Sequence, residues 1–157
     1  MKQLTIKDIR DLDPCYDPGR HISEDWRGTV IDILKLDGPS HEDKIWVVTH
    51  LIDDKTNRLF AGWCAREALK LAKDPDQRSI EACNVAERFA NGQATKEELA
   101  AARAAASAAW DAAWDAAWSA AAYAADACAA DAWYAARCAA RAAQVEKLIE
   151  MLEGSDE

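Results

Sequence analysis

Two guanidinium side chains eight residues apart, Arg58 and Arg66, have the indole of Trp63 between them, and these are the residue types and spacing that point most directly to chemistry. A guanidinium fork matches the geometry of a phosphate or carboxylate, and an indole face holds a base or ribose. Together they form the minimum set for a small nucleotide-like anion. A second basic group, Arg20, His21 and Arg27, lies in and after a turn containing Pro18 and Gly19. The competing reading is structural. Arg58 would pair with Asp53 or Asp54 and Arg66 with a nearby acid, as solvated helix-face ion pairs worth under about 1 kcal/mol each. Both arginines sit among apolar residues, and burial would make them either anchors or liabilities.

Other chemistry finds little support. The chain contains no G-x-G-x-x-G, G-x-x-x-x-G-K, H-E-x-x-H or G-x-S-x-G pattern, so phosphate-loop, zinc-protease and hydrolase-elbow readings lack their motifs. His21, His41 and His50 are the only imidazoles, and a metal site would need further ligands that do not align with them, so neither metal nor other cofactor is expected. Cys15, Cys64, Cys83, Cys128 and Cys138 are odd in number and lack C-x-x-C spacing. They are expected to be reduced and packed as small hydrophobes. Cys64, between Trp63 and Ala65, reads as packing rather than as the nucleophile of a thiol-dependent enzyme, and no catalytic residue is assigned.

The elements that must position these residues are helical. Apolar residues recur at helical intervals, as in Trp26, Val30, Ile33 and Leu34, and again in Ile45, Val48, Leu51 and Ile52. The stretch IWVVTHL has β-branched character but no comparable strand to pair with, and is read as helix. Start signals stand at Thr5, at Ser23, at Ser40 with Asp43, at Thr56, and at Thr95 with Glu98. Gly38 and Gly92 follow candidate helices, where a left-handed cap is wanted. The 157 residues suit one domain. An all-α fold is expected, with a mixed helical bundle over 1–94 packed on a long Ala- and Trp-rich helix or helical hairpin over 95–152, and a disordered tail over 153–157.

Twenty-seven of the 44 residues from 100 to 143 are alanine, and no Gly or Pro occurs between Thr95 and Leu152. Alanine is the strongest helix former. A single helix of that span would be about 87 Å long, so it must project, kink, fold back or lie against another chain. Trp110, Trp114 and Trp118 follow at intervals of four and wind across one face, where indoles filling holes opposite alanines are the usual outcome. An aromatic wall for a flat ligand and an oligomer interface through the alanine-lined helices are the alternatives. Asp111, Asp115 and Asp126 collect on a neighbouring sector and, with Asp131, make an acidic face.

The net charge of −9 argues against general nucleic-acid binding and against anionic membrane surfaces. No apolar run suits a membrane span, and the opening MKQLTIKDIRDL has no signal-peptide core, so a cytoplasmic product is expected.

The stretch from about 45 to 152 resembles bacterial and phage proteins grouped as immunity proteins, uncharacterised at the molecular level. The matching motifs are RLF at Arg58–Phe60, C-x-R at Cys64–Arg66, RS-x-x-A at Arg78–Ala82, AERFANG at Ala86–Gly92 and AT-x-EEL at Ala94–Leu99. The resemblance implies an α-helical, non-enzymatic protein of conflict between bacteria, toxins and phages. On that expectation the chain neutralises a toxin or defence effector by stoichiometric capture through Asp111, Asp115, Asp126 and Asp131. The alternative is a sponge for a nucleotide immune signal, bound by Arg20, Arg27, Arg58, Trp63, Arg66, Trp110 and Trp114. Replacing Trp114 by Ala is expected to lower stability by about 3–5 kcal/mol in chemical denaturation, as for a core aromatic; a near-neutral change would make the indole a ligand wall.

Overall fold

A computed structural model describes residues 2–70, 74–105, 107 and 129–154, with the backbone alone described over 129–138. The fold is all-α apart from one small ribbon. In chain order the elements are β1 (Leu4–Thr5), α1 (Ile6–Arg10), a 3₁₀ turn (Pro18–Arg20), β2 (Arg27–Gly28), α2 (Val30–Leu34), α3 (His41–Leu51), α4 (Asp54–Lys70), α5 (Gln77–Ala90), α6 (helical over 96–105) and α7 (Ala129–Glu153). Contacts group them into two compact units, Met1–Asp53 with Tyr134–Glu157, and Asp54–Trp133.

In the first unit, helices α1 and α2 have five residues each, far too few to persist alone in water. A hydrogen-bonded box starts each of them. The Thr5 amide and hydroxyl donate to Asp8 Oδ2 at 2.8 and 2.6 Å, while the Asp8 amide donates back to Thr5 Oγ1 at 3.3 Å. The same exchange joins Thr29 to Asp32 at 2.7, 2.8 and 3.3 Å, and Ser40 to Asp43 at the start of α3. Each box satisfies amides that a helix start leaves without partners.

The two Thr-capped starts are joined by the ribbon. Leu4 pairs with Gly28 and Thr5 with Arg27, antiparallel. Leu4, Ile6, Ile9, Ile31, Ile33 and Leu34 are buried in this unit, as are Val47 and Val48 of α3 and Val145, Leu148 and Leu152 of α7. Leu148 and Val48 are fully buried. Val145, Leu148 and Leu152, spaced by three and four along α7, form one apolar stripe. Two exposed ion pairs add to the docking of α7: Lys35 with Glu153 and Arg141 with Glu42, each at 3.2 Å.

The second unit packs α4 on α5, with Phe60 and Gly62 facing Cys83 and Val85 as buried residues, and Leu99 of α6 buried as well. Thr95 and Glu98 form the box that starts α6: the Thr95 amide donates to Glu98 Oε2 at 2.6 Å and the Glu98 amide to Thr95 Oγ1 at 3.1 Å.

Several sequence expectations change. The helix expected from Ser23 starts only after Thr29, because Arg27 and Gly28 are taken up by the ribbon. Gly28 is required there: a Cβ would lie 2.5 Å from Trp26 Cζ2. α4 starts at Asp54, ahead of Thr56. Gly92 has the left-handed φ of +72° after the C-cap Asn91, whereas Gly38 is placed by the His21 ring, which a Cβ would meet at 3.0 Å. The stretch IWVVTHL is helical within α3. Whether 95–152 is one helix or a hairpin falls outside the described residues; of the tail expected over 153–157, Glu153 ends α7 and Gly154 lies in a turn, and 155–157 lie outside the described residues.

Truncating the fully buried Leu148 to Ala is expected to cost about 2–5 kcal/mol, and Thr29→Ala about 1 kcal/mol through loss of the cap. Urea unfolding checks both; a Leu148→Ala protein as stable as the parent would remove α7 from this core.

Candidate functional site

The first unit carries a partly open cavity of about 400 Å³. Its walls come from elements that cannot pack flush, since three short helices are joined by turns containing Pro14, Pro18 and Pro39. Ile9 of α1, Ile33 of α2, Val47 of α3, Ile22 and Leu36 supply the apolar surface. Cys15, Tyr16, His21, Lys44 and Trp46, with the acids Asp13, Glu42 and Asp43, supply the lining with chemical character.

The wall formed by residues 11–24 is held by Arg10. Its Nε donates to Asp17 Oδ1 at 2.9 Å, and its two terminal nitrogens donate to Glu24 Oε2 and Oε1 at 2.8 and 2.6 Å. Asp17 Oδ1 also accepts the Gly19 amide at 3.0 Å, which starts the 3₁₀ turn. Asp13 turns the chain at a left-handed φ of 56°, a conformation that Asp tolerates better than most residues. The rings of Tyr16 and His21 meet edge to face, 5.6 Å between centroids. Burial and then the Asp43 carboxylate push the Tyr16 hydroxyl up to about 12, so it stays a protonated donor at neutral pH. Across the cavity, Trp46 is 37 % exposed and lies against His50 with 4.3 Å between ring centroids. Lys44 is 9 % exposed, and no other polar or charged residue is buried among the described ones.

The residues singled out from the sequence fall as follows. In the second unit, the Arg66 fork closes on Glu87, Nε to Oε1 at 2.6 Å and NH2 to Oε2 at 2.9 Å, with Asn84 Oδ1 at 2.8 Å. The pair raises the Arg66 guanidinium and holds the Glu87 carboxyl below its ordinary value, hydrogen bonding being the main cause for each. Arg58 lies over the Phe89 ring at 5.1 Å and 3.6 Å from Asp54. Trp63 stacks near Phe60 with 6.4 Å between centroids. All three expected α4 residues are therefore engaged within the α4–α5 pair. In the first unit, Arg20 and Arg27 are exposed, and an Arg27 terminal nitrogen donates to the Trp26 carbonyl at 3.1 Å. Trp110, Trp114, Asp111, Asp115 and Asp126 lie outside the described residues, and so does the side chain of Asp131.

Among the described residues no group of three or more His, Cys, Asp or Glu is placed to hold a metal ion, and no helix is long and apolar enough to cross a membrane. Cys83 is buried, and burial pushes its thiol up, which suits packing over nucleophilic attack. Cys15 is exposed.

Tyr16, Lys44 and Trp46 were not singled out from the sequence. The signal that was present is the cluster of Asp-Pro and Pro-Gly turns around 13–19, which breaks the first unit into helices too short to close over one another. In comparisons with known proteins, no family model, no curated protein and no solved structure matches this chain.

The carboxylates that hold these walls set a pH dependence. Asp8 is lowered from 3.8 to about 2, chiefly by its hydrogen bonds from Thr5, and Asp17, Glu24 and Asp32 are lowered by Arg10, Arg10 and Thr29 in turn. A depressed folded value means that stability is complete above the unfolded value and is lost as pH falls through the folded one. Denaturant midpoints are expected to be level from neutral pH to about 5 and to drop between 3.8 and about 2; a protein equally stable at both ends would show that the boxes and the Arg10 clamp carry no weight.

Proposed function

We propose that this chain is a non-catalytic binding protein of conflict between bacteria, toxins and phages, which neutralises a basic protein toxin or defence effector by stoichiometric capture. The observation that supports it most is the engagement of the α4 guanidinium groups. Arg66 is held in a two-pronged pair with Glu87, and Arg58 is spread over Phe89. A nucleotide phosphate would have to displace an internal carboxylate to use Arg66, and that exchange gains little where the pair is already charge-assisted. With this fork occupied, the net charge of −9 dominates what an approaching molecule meets.

A field of that sign raises the association rate of a basic partner. Trp46, exposed on α3 one turn from Glu42, is the type of side chain that carries binding energy at protein interfaces. The motif resemblance to immunity proteins supplies the biological setting, and capture by a cytoplasmic protein fits that setting.

The test uses the intact chain recovered from a bacterial lysate at low salt, followed by native mass spectrometry. A one-to-one complex with a basic protein is expected. It should dissociate as salt passes about 0.5 M, where surface fields are screened, and the reversal Asp111→Lys with Asp115→Lys should slow its formation. Calorimetry against cyclic di- and trinucleotides and ADP-ribose should give no heat. A chain recovered alone, with one of those nucleotides bound and returned unmodified, would replace capture of a protein by sequestration of a signal; conversion of the nucleotide would make the chain an enzyme.

A further inference from the structure

We propose that the cavity of the first unit binds a small apolar carboxylate, with the carboxyl group on the Lys44 ammonium and the hydrocarbon body against the apolar walls. This assignment is independent of protein capture and rests on the cavity alone.

Lys44 is the observation that starts it. The residue is 9 % exposed and lines the cavity, yet no ion pair or side-chain hydrogen bond among the described residues engages its ammonium. No buried side-chain nitrogen or oxygen lacks a partner among the described residues, so the Lys44 stem is covered while Nζ keeps contact with solvent. An ammonium whose stem is covered by apolar surface and whose head meets only water gains a charge-assisted hydrogen bond when an anion comes within reach.

The neighbouring acids do not fill that role. Asp43 Oδ2 accepts from the Ser40 hydroxyl at 2.6 Å and the Ser40 amide at 3.2 Å. Glu42 is paired with Arg141 at 3.2 Å. Asp13 is exposed to water. Lys44 thus lines the cavity with an ammonium that no side chain of the described residues engages.

The same three acids decide the charge of the ligand. A phosphate or any dianion would meet Asp13, Glu42 and Asp43 with only one lysine to offset them. An alkylammonium would oppose Lys44 directly, and a neutral hydrocarbon would leave the ammonium unpaired. A monocarboxylate can pair with the ammonium at the least repulsion from these acids, of which Glu42 is offset by Arg141 and Asp43 is held by Ser40; tighter binding of a cation is the outcome by which the acids would prevail. The body of the carboxylate is set by Ile9, Ile22, Ile33, Leu36, Val47 and Trp46, and the volume of about 400 Å³ lies in the range of small-molecule pockets, roughly 300–1,000 Å³.

Titration calorimetry of the full chain with decanoate, decanol and decylammonium tests the assignment. Decanoate is expected to saturate one site and to bind about tenfold or more tighter than decanol, the ratio that a charge-assisted hydrogen bond supplies. Decylammonium should be weaker still. From hexanoate to decanoate the affinity should rise about fourfold per methylene until the cavity is full. Lys44→Met should bring decanoate down to decanol while leaving decanol binding in place, and Lys44→Arg should keep the preference. Should Lys44→Met fail to fold, the decanoate-to-decanol ratio on the parent protein and the Lys44→Arg variant decide the matter. Equal binding of decanoate and decanol, tighter binding of decylammonium, or many weak sites without saturation would each overturn it.

Discussion

A hydroxyl and an aspartate three residues apart hold the first unit together. The exchange between Thr5 and Asp8 recurs between Thr29 and Asp32 and between Ser40 and Asp43, and all three helices that build the cavity begin on it. For an ordinary helix a cap is a modest increment. For α1 and α2, each little more than one turn, the box occupies most of the hydrogen-bonding capacity that the first turn exposes. The ribbon from Leu4–Thr5 to Arg27–Gly28 then places the two boxes side by side, so that Ile6, Ile9, Ile31 and Ile33 reach one core. Hydrogen bonds define where these helices start, and burial supplies the driving force to keep them.

The cavity follows from the same construction. Helices this short turn at Pro14, Pro18 and Pro39 before their side chains can interlock along a full face. The gap is lined by the inward residues of several elements, and its outer wall is carried on the Arg10 clamp to Asp17 and Glu24. Because that clamp is exposed, its contribution to stability is screened and modest. Its effect is positional: it fixes the turn that brings Cys15, Tyr16 and His21 to the same space as Lys44 and Trp46 of α3.

In the second unit a guanidinium is spent on structure. Arg66 spans α4 to α5 through Glu87 and Asn84, alongside the close approach that Gly62 permits opposite Glu87. A basic residue in an acidic chain is a poor guide to a ligand when an acid on the next helix can reach it. The distinction matters for function, since it separates an internal tie from an anion site.

Features that depend on residues three or four apart were legible in the sequence: the boxes at Thr5, Ser40 with Asp43, and Thr95 with Glu98, the helical character of IWVVTHL, and the pairing of Arg58 with Asp54. The reason is that backbone geometry alone brings such residues together. The start of α2, the identity of Glu87 as the partner of Arg66, and the burial of Lys44 were not legible, because each depends on chain that is distant in sequence. Leu4–Thr5 removed Arg27 and Gly28 from a helix, α5 carried Glu87 across to α4, and the turns of 11–24 closed over α3. Sequence determined the helical class and the starts of α1, α3 and α6 through local hydrogen bonding and periodicity; tertiary structure decided which charges pair across elements and which side chains line the cavity, since only packing removes water from a side chain.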